Sequence, residues 1–309
     1  MISLLLLASI QAGATQSAAT SRMDHVGIGV RDLEAATASF TRLGFVVRPG
    51  GQHPGGTENN LIFFPDGSYL ELLGVHDTTK AADMAAMFRK REGAFFAGLR
   101  VNSAAGIATT LKGRNLEVVG PVGGTIRLPT DTGPPPDRWW IVSFKEQAWP
   151  WSSLFFLEYA PQFQKQARED LRSQGAFEHP NSATRLYAAW FASFAPDSIV
   201  GPLEGIGMRL DPSVRSAKLG ASARIARLEG GAMVVLLPKD ATGLAGNFVQ
   251  AGGNGVMGVT VAVKSVDSVV RAIGSNGAAL KPYAGLFGRS VLVGPNDARG
   301  AWVEFAEIP

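Results

Sequence analysis

The chain has no cysteine. That excludes disulfides, thiolate nucleophiles and cysteine-based zinc sites, so any metal would have to be held by histidine and carboxylate. Histidine is scarce as well, with four in 309 residues, at positions 25, 53, 76 and 179. Neither sign of charge is in large excess. The formal net charge is +3, and no dense basic stripe interleaved with aromatics appears, so no nucleic-acid partner is expected. Phosphate-binding loops and dinucleotide fingerprints are missing too. Gly27 and Gly29 precede Val30 inside a strand pattern and do not open a helix. What is present, 46% hydrophobic and 18% charged residues, is the composition of a folded chain.

Long apolar runs are also missing. The strongest, Ile2 to Ile10, is too short to cross a bilayer comfortably, so no stable membrane anchor is expected. It is followed by Ala12-Gly13-Ala14 and a small-residue stretch. Residues 1–22 therefore read as a secretory signal with an A-x-A-like cleavage site, which would place the mature protein in the periplasm or outside the cell. The competing reading is a true start at Met23 and a cytoplasmic protein.

The mature chain repeats itself. Segment 24–40, DHVGIGVRDLEAATASF, is a short alternating strand, then an acidic helix start. Segment 258–273, GVTVAVKSVDSVVRAI, has the same grammar. A weaker copy starts at Phe96 and the weakest near Arg185, with Ala189-Trp190-Phe191 as strand and Pro196-Asp197 as helix start. Three further strand-like runs follow most copies. After the first these are Phe45–Val47, Asn60–Phe64 and Tyr69–Leu73. After the second they are Leu116–Val119, Trp139–Phe144 and Leu154–Tyr159. After the last they are Ala279-Leu280, Ser290–Val293 and Ala301–Ala306. In the third copy only Ala232–Leu237 stands out. Turn signals such as Pro65-Asp66-Gly67-Ser68 separate the runs. The unit is strand, helix, three strands. A unit with one buried face must pair with another. The fold class is thus α+β: four βαβββ modules in two domains, 23–160 and 183–309, joined by a polar linker at 161–182. Pairing of module one with two, or of one with four, both remain open. The Gly- and Pro-rich stretch from Gly120 to Asp137 reads as a long loop, either a binding lid or a hairpin excursion.

The run DHVGIGVRDLEAA, then GGQHPGGTEN, then DGSYLELLGV resembles the glyoxalase-like branch of the vicinal oxygen chelate superfamily. WWIVSF, SSLFFLEYAP and His179-Pro180-Asn181 continue the likeness to about residue 200. The resemblance implies paired modules forming cupped, incomplete barrels, with a divalent metal held by the first and last strands of each module. By that likeness His25 and Glu71 are metal ligands from module one and Glu158 from module two, whereas the fourth position falls on Phe96, which cannot ligate. One histidine and two carboxylates would suit Mn, Fe, Zn, Ni or Mg and leave positions for a substrate. The implied activity is a metal-dependent lyase, isomerase or dioxygenase acting on a small oxygenated molecule. The alternative is a metal-free binding or sequestration protein, with His25 hydrogen-bonded to Glu71; a purely structural or regulatory role is a third possibility.

Further candidates surround this set. His53, Thr57 and Asn59 sit in a Gly-rich loop whose backbone could approach a ligand, or whose side chains could satisfy the turn itself. Arg127 could clamp a carboxylate. Of the adjacent Trp139 and Trp140, alternation sends one to the cup. His76 and His179 read as an exposed residue and a linker-turn residue. The second half is chemically poor: Trp190, Gly258 and Val235 fall near ligand positions, and only Glu304 keeps a carboxylate. Asn247, Gln250 and glycines 252, 253 and 255 read as a loop.

Overall fold

The computed structural model describes residues 21–126, 131–274 and 280–308. Residues 1–20 of the stretch read as a signal sequence, and Arg127, lie outside the described residues. Module one comprises β1 (Arg22–Gly29), α1 (Leu33–Arg42), β2 (Arg48–Gln52), β3 (Thr57–Phe63) and β4 (Tyr69–Val75). After an intervening helix α2 (Ala82–Lys90), module two comprises β5 (Gly93–Arg100), α3 (Ala104–Gly113), β6 (Val118–Gly124), β7 (Trp139–Phe144) and β8 (Leu154–Tyr159). Helix α4 (Pro161–Ser173) then leads to module three: β9 (Ala183–Ala192), α5 (Val200–Gly205), β10 (Val214–Ser216), β11 (Ala221–Leu228) and β12 (Gly231–Pro238). Helix α6 (Gly243–Gly252) precedes module four: β13 (Gly255–Val263), α7 (Val266–Gly274), β14 (Tyr283–Ala284), β15 (Arg289–Val293) and β16 (Trp302–Glu307).

The modules pair in chain order. One eight-stranded sheet runs β2-β3-β4-β1-β5-β8-β7-β6 and the other β10-β11-β12-β9-β13-β16-β15-β14. Within a module the first and last strands are parallel, and the two first strands meet antiparallel at the centre of each sheet. This removes the one-with-four pairing, so Glu304 lies in a different sheet from His25. Each sheet is a curled, half-barrel surface.

Alternation places one face of both sheets in a common core. Val26, Ile28, Ala97 and Leu99 of the first sheet share a cluster with Ala189, Phe191, Val259 and Val261 of the second, and α1, α3, α5 and α7 contribute to it. The alternate positions, His25 and Trp190 among them, point away from that core, so each sheet presents a cup face outward. The helices begin where capping chemistry allows. Asp32 accepts from the Ala35 amide at the start of α1, and Ser103 accepts from the Gly106 amide at the start of α3.

Three sequence expectations change. The strand after α1 is Arg48–Gln52, not Phe45–Val47, because Phe45 is taken into the core beside Phe40 and Phe64. Residues 120–124 are not loop but the end of β6; a register break between Val119 and Val122 lets Gly123 and Gly124 pair with Trp140 and Trp139. Asn247, Gln250 and Gly252 lie in α6, not in a loop. That helix forms because Ala245 and Val249 bury against the apolar face of the second sheet. Among the described residues no helix is long and apolar enough to cross a membrane.

His179 does more than shape a turn. Its Nδ1 accepts from the Val46 amide at 3.0 Å, its Nε2–H donates to the Phe63 carbonyl at 2.9 Å, and Phe45 and Phe64 pack on its ring. The bond from Val46 requires a bare Nδ1 and hence the neutral ring, whereas the bond to Phe63 can form in either state. Burial lowers its proton affinity, outweighing the opposing hydrogen bond to Phe63. A histidine whose folded value lies below its unfolded one stabilises fully above the ordinary histidine range and loses that contribution as pH falls. Melting temperature should therefore drop between about pH 7.5 and 5.5, and the drop should be shallower in His179→Gln. An equal slope in the variant contradicts this role.

Candidate functional site

In β1 the core positions are Val26 and Ile28, so His25 and Gly27 face the first cup. On the parallel partner β4, Leu70 and Leu72 go to the core and Tyr69 and Glu71 to the cup. The result is an imidazole and a carboxylate at the cup floor, with His25 Nε2 3.8 Å from Glu71 Oε2. That is too long for a hydrogen bond. The two residues are 5% and 9% exposed, so the floor is close to solvent without being open to it.

Asp24 should by alternation point into the core. The ladder between β1 and β5 slips between Met23 and His25, leaving Asp24 as the extra residue of a β-bulge. The bulge turns its carboxylate toward the cup side, where Oδ1 accepts from His25 Nδ1 at 2.7 Å and from the Tyr159 hydroxyl at 3.1 Å. Arg100 supplies Nε to Oδ2 at 2.7 Å and a second N–H at 2.6 Å. Arg100 is itself tied to the Gly67 carbonyl. Burial alone would push the Asp24 carboxyl up, but the Arg100 charge and the bonds from His25 outweigh it and hold the group below its ordinary range. Asp24 is thus a buried anion that fixes the imidazole's Nδ1–H and leaves Nε2 facing Glu71. Tyr69 lies flat on the imidazole, centroids 4.4 Å apart, and Phe96 and Phe155 meet its edges at 5.3 Å each. Burial drives the phenols of Tyr69 and Tyr159 well above their ordinary value, so both stay protonated.

The Gly-rich loop reaches this floor through one residue. Asn59 Nδ2–H donates to Glu71 Oε1 at 2.7 Å and lies 3.4 Å from His53 Nε2. His53 Nδ1 and Thr57 Oγ1 share a hydrogen bond at 2.8 Å, and the Gly51 amide donates to Asn59 Oδ1. His53, Thr57 and Asn59 therefore satisfy one another and hold Glu71. Trp139 faces the cup side opposite Tyr159, with its ring near Phe163 of α4, while Trp140 packs into the core.

Glu158 is not part of the floor. It shares a strand face with Phe156, on the core side, and its Oε2 accepts from the Ala104 amide at the start of α3. An anion there is stabilised by the helix dipole. The residue that stands where Glu71 would be repeated is Phe155. Gly27 pairs with Phe96 and with Glu71, whereas Gly98 pairs with His25 and with Phe155. Exchanging the two central strands carries His25 onto Phe96 and Glu71 onto Phe155. Among the described residues the four strand positions of such a site thus hold His25 and Glu71, with phenyl rings at the other two corners, and Asn59 already donates into Glu71. This set does not fit a divalent ion, which in catalytic zinc sites takes three protein ligands. Among the described residues no group of three His, Asp or Glu side chains is placed to hold a metal.

The second cup carries less chemistry. The register puts Ala188 and Gly258 at the His25 positions and Val234 and Glu304 at the Glu71 positions. Trp190 and Val235 are thus two and one residues away from the ligand positions expected for them. Glu304 accepts from Tyr283 at 2.5 Å and from Thr260 at 2.8 Å, and Thr260 accepts from Trp190 Nε1 at 2.9 Å. Burial raises the Glu304 carboxyl, opposed by these hydroxyl bonds. The rest of the face is filled by Ala245 and Val249 of α6, with Phe248, Leu286 and Phe287 beside them.

A family model described as a glyoxalase-like domain matches residues 23–205. The chain belongs to that family. The match spans the first sheet and runs into β9 and α5 of the second domain, and the protein is a glyoxalase-like member of the vicinal oxygen chelate superfamily. None of the curated proteins matches it. A solved structure of a hypothetical protein from Staphylococcus aureus is similar over 93% of this chain and 99% of its own, with 17% identity and a TM-score of 0.62. That likeness shows the two-domain fold. Methylmalonyl-CoA epimerase from Mycobacterium tuberculosis is 21% identical over 41% of this chain and 90% of its own, TM-score 0.38. A Streptomyces coelicolor methylmalonyl-CoA epimerase variant is 22% identical over 41% of this chain and 100% of its own, TM-score 0.38.

Sequence reasoning missed Asp24, Arg100 and Tyr159 in this glyoxalase-like site. Removing the Asp24 charge should strand Arg100 and free the His25 ring. Asp24→Asn should lose about 3–5 kcal/mol of stability in urea at pH 7. A depressed folded value means the Asp24 contribution is present above the ordinary aspartate range and lost as pH falls through the lower folded value. The acid limb of stability below about pH 4 should accordingly be shallower in Asp24→Asn. A loss under about 1 kcal/mol contradicts the assignment.

Proposed function

We infer that the first cup binds a small oxygen-bearing molecule without a divalent metal and moves a proton on it. The observation that carries this reading is the line from Arg100 and Asp24 through His25 to Glu71. Asp24 fixes the Nδ1–H tautomer, so the neutral ring presents a lone pair at Nε2 to the cup. When that nitrogen takes a proton, the buried Asp24 carboxylate stabilises the imidazolium that forms. Glu71 Oε2, 3.8 Å away, is placed to receive or return a proton on the same small group. Asn59 holds the other Glu71 oxygen and so keeps the carboxylate aimed. Phe96, Phe155 and Tyr69 wall the pair with apolar surface, which strengthens the electrostatics between the two groups and a bound ligand.

The chemistry this supports is proton abstraction next to a carbonyl, followed by reprotonation, as in an isomerase or a lyase. His25 Nε2 or Glu71 takes the proton from carbon, the electron pair shifts to the carbonyl oxygen, and the proton returns to carbon or oxygen. The reading is tested by proton NMR in deuterated water, with EDTA present, on small 2-oxoacids and hydroxyketones bearing an exchangeable C–H. Wild-type protein should speed exchange on at least one, and His25→Ala or Glu71→Gln should lower the rate by about 10²–10⁴-fold. Exchange that needs an added metal, or that persists in His25→Ala, contradicts it.

A further inference from the structure

The two phenyl rings at the cup floor stand at positions with a specific symmetry. Because the central strands meet antiparallel, the His25 ring lies over Gly98 and the Phe96 ring lies over Gly27. A Cβ at Gly98 would come within 2.9 Å of the imidazole and 3.0 Å of Phe155, and one at Gly27 would overlap Phe96. Both glycines are required by the rings that cover them. Phe96 thus takes the space a second imidazole would fill, and Phe155 the space of a second carboxylate. The two rings meet each other edge to face, with centroids 5.3 Å apart, and both remain half-buried. Phe95, released toward the same side by a second slip in the β1–β5 ladder, packs on Phe96 at 4.5 Å. A partly open aromatic wall at the bottom of a cup is apolar surface that a ligand can cover, whereas core aromatics such as Phe156 and Phe144 are fully enclosed.

We propose that Phe96 and Phe155 form an aromatic clamp that selects ligands with a planar apolar body, an aryl group above all, attached to an oxygen-bearing end that meets His25 and Glu71. The inference rests on the reading of the first cup as a metal-free small-molecule site and adds the class of molecule. Both rings stand beside the imidazole, Phe96 over Gly27 and Phe155 against Gly98. A ligand with its oxygens at His25 and Glu71 therefore brings its body onto the two rings. Offset or edge-to-face contact with two phenyl rings favours an aryl body over an alkyl one.

Two probes that differ only in this respect test the proposal: benzoylformate and pyruvate, the same 2-oxoacid with phenyl or methyl. Benzoylformate has no C–H beside its ketone and cannot be enolised, and exchange at the pyruvate methyl regenerates pyruvate, so neither titration carries a net reaction. Calorimetric titration of the full chain in EDTA should give benzoylformate an affinity at least about tenfold above pyruvate. Phe155→Ala and Phe96→Ala should each cut that preference to below about threefold. His25→Ala should weaken both probes. Melting curves confirm that each variant is folded, and Phe155→Leu, which keeps the bulk and loses the ring, replaces any alanine variant that is not. Equal affinities in the wild type, or a preference that survives both substitutions, overturns the clamp while leaving the metal-free cup intact. Binding of neither probe overturns the clamp together with the reading beneath it.

Discussion

Everything in the first cup depends on the antiparallel seam between β1 and β5. That ladder sets His25 opposite Gly98 and Gly27 opposite Phe96. It also slips twice, and each slip redirects one side chain. The first slip delivers Asp24 to His25, and the second delivers Phe95 to Phe96. A bulge is a local loss of pairing, and here it is held in place by strong partners. Arg100, on the facing strand, reaches back across the seam to close a charge-assisted bond with the displaced carboxylate. Slippage of this register by one residue would send His25 into the core and Val26 into the cup.

The two sheets share this architecture and use it differently. Both have a central antiparallel seam, and both bury their opposite faces in one core. In the first sheet the cup floor keeps four polar groups in contact: Asp24, His25, Glu71 and Asn59. In the second a single carboxylate remains, and hydroxyls close around it while α6 covers the apolar remainder. A helix inserted between modules occupies a different place in the two domains. In the first, Phe88 of α2 lies over Gly29 at the end of the cup. In the second, Ala245 and Val249 of α6 lie across the face itself. Burying each such side chain contributes roughly 1.5–3 kcal/mol for a residue as large as valine. The second domain therefore has a packed surface at the position where the first holds His25 and Glu71.

The βαβββ grammar was legible because period-two strands and capped helices leave direct marks: His25-to-Val30 alternation, Asp32 before α1, Tyr69 to Leu73. The metal set was not legible for a reason of register. Leu157-Glu158-Tyr159 resembles Leu70-Glu71-Leu72 in letters, yet β8 begins after a short turn at Trp151–Ser153 and its pairing starts at Leu154. Counting from the ladder, not from the motif, assigns Phe155 to the ligand position and sends Glu158 to the N-terminus of α3. Asp24 was hidden because a bulge breaks the alternation on which strand reading relies. Its only trace in the sequence is the Asp-His doublet, with Arg100 far away along the chain. The covering helix α6 was hidden by its glycines. Gly246 is needed because a Cβ there would overlap the Asp240 carbonyl.

The central claim is that the first cup has exchanged half of a metal-binding frame for two phenyl rings. Calorimetric titration with Zn²⁺, Ni²⁺ and Mn²⁺ measures this most directly, comparing wild type with the Phe96→His/Phe155→Glu double variant. The account predicts no stoichiometric site in the wild type and about one equivalent in the double variant, lost again when His25→Ala is added. One equivalent bound by the wild type and lost in His25→Ala, or no gain by a folded double variant, would contradict it.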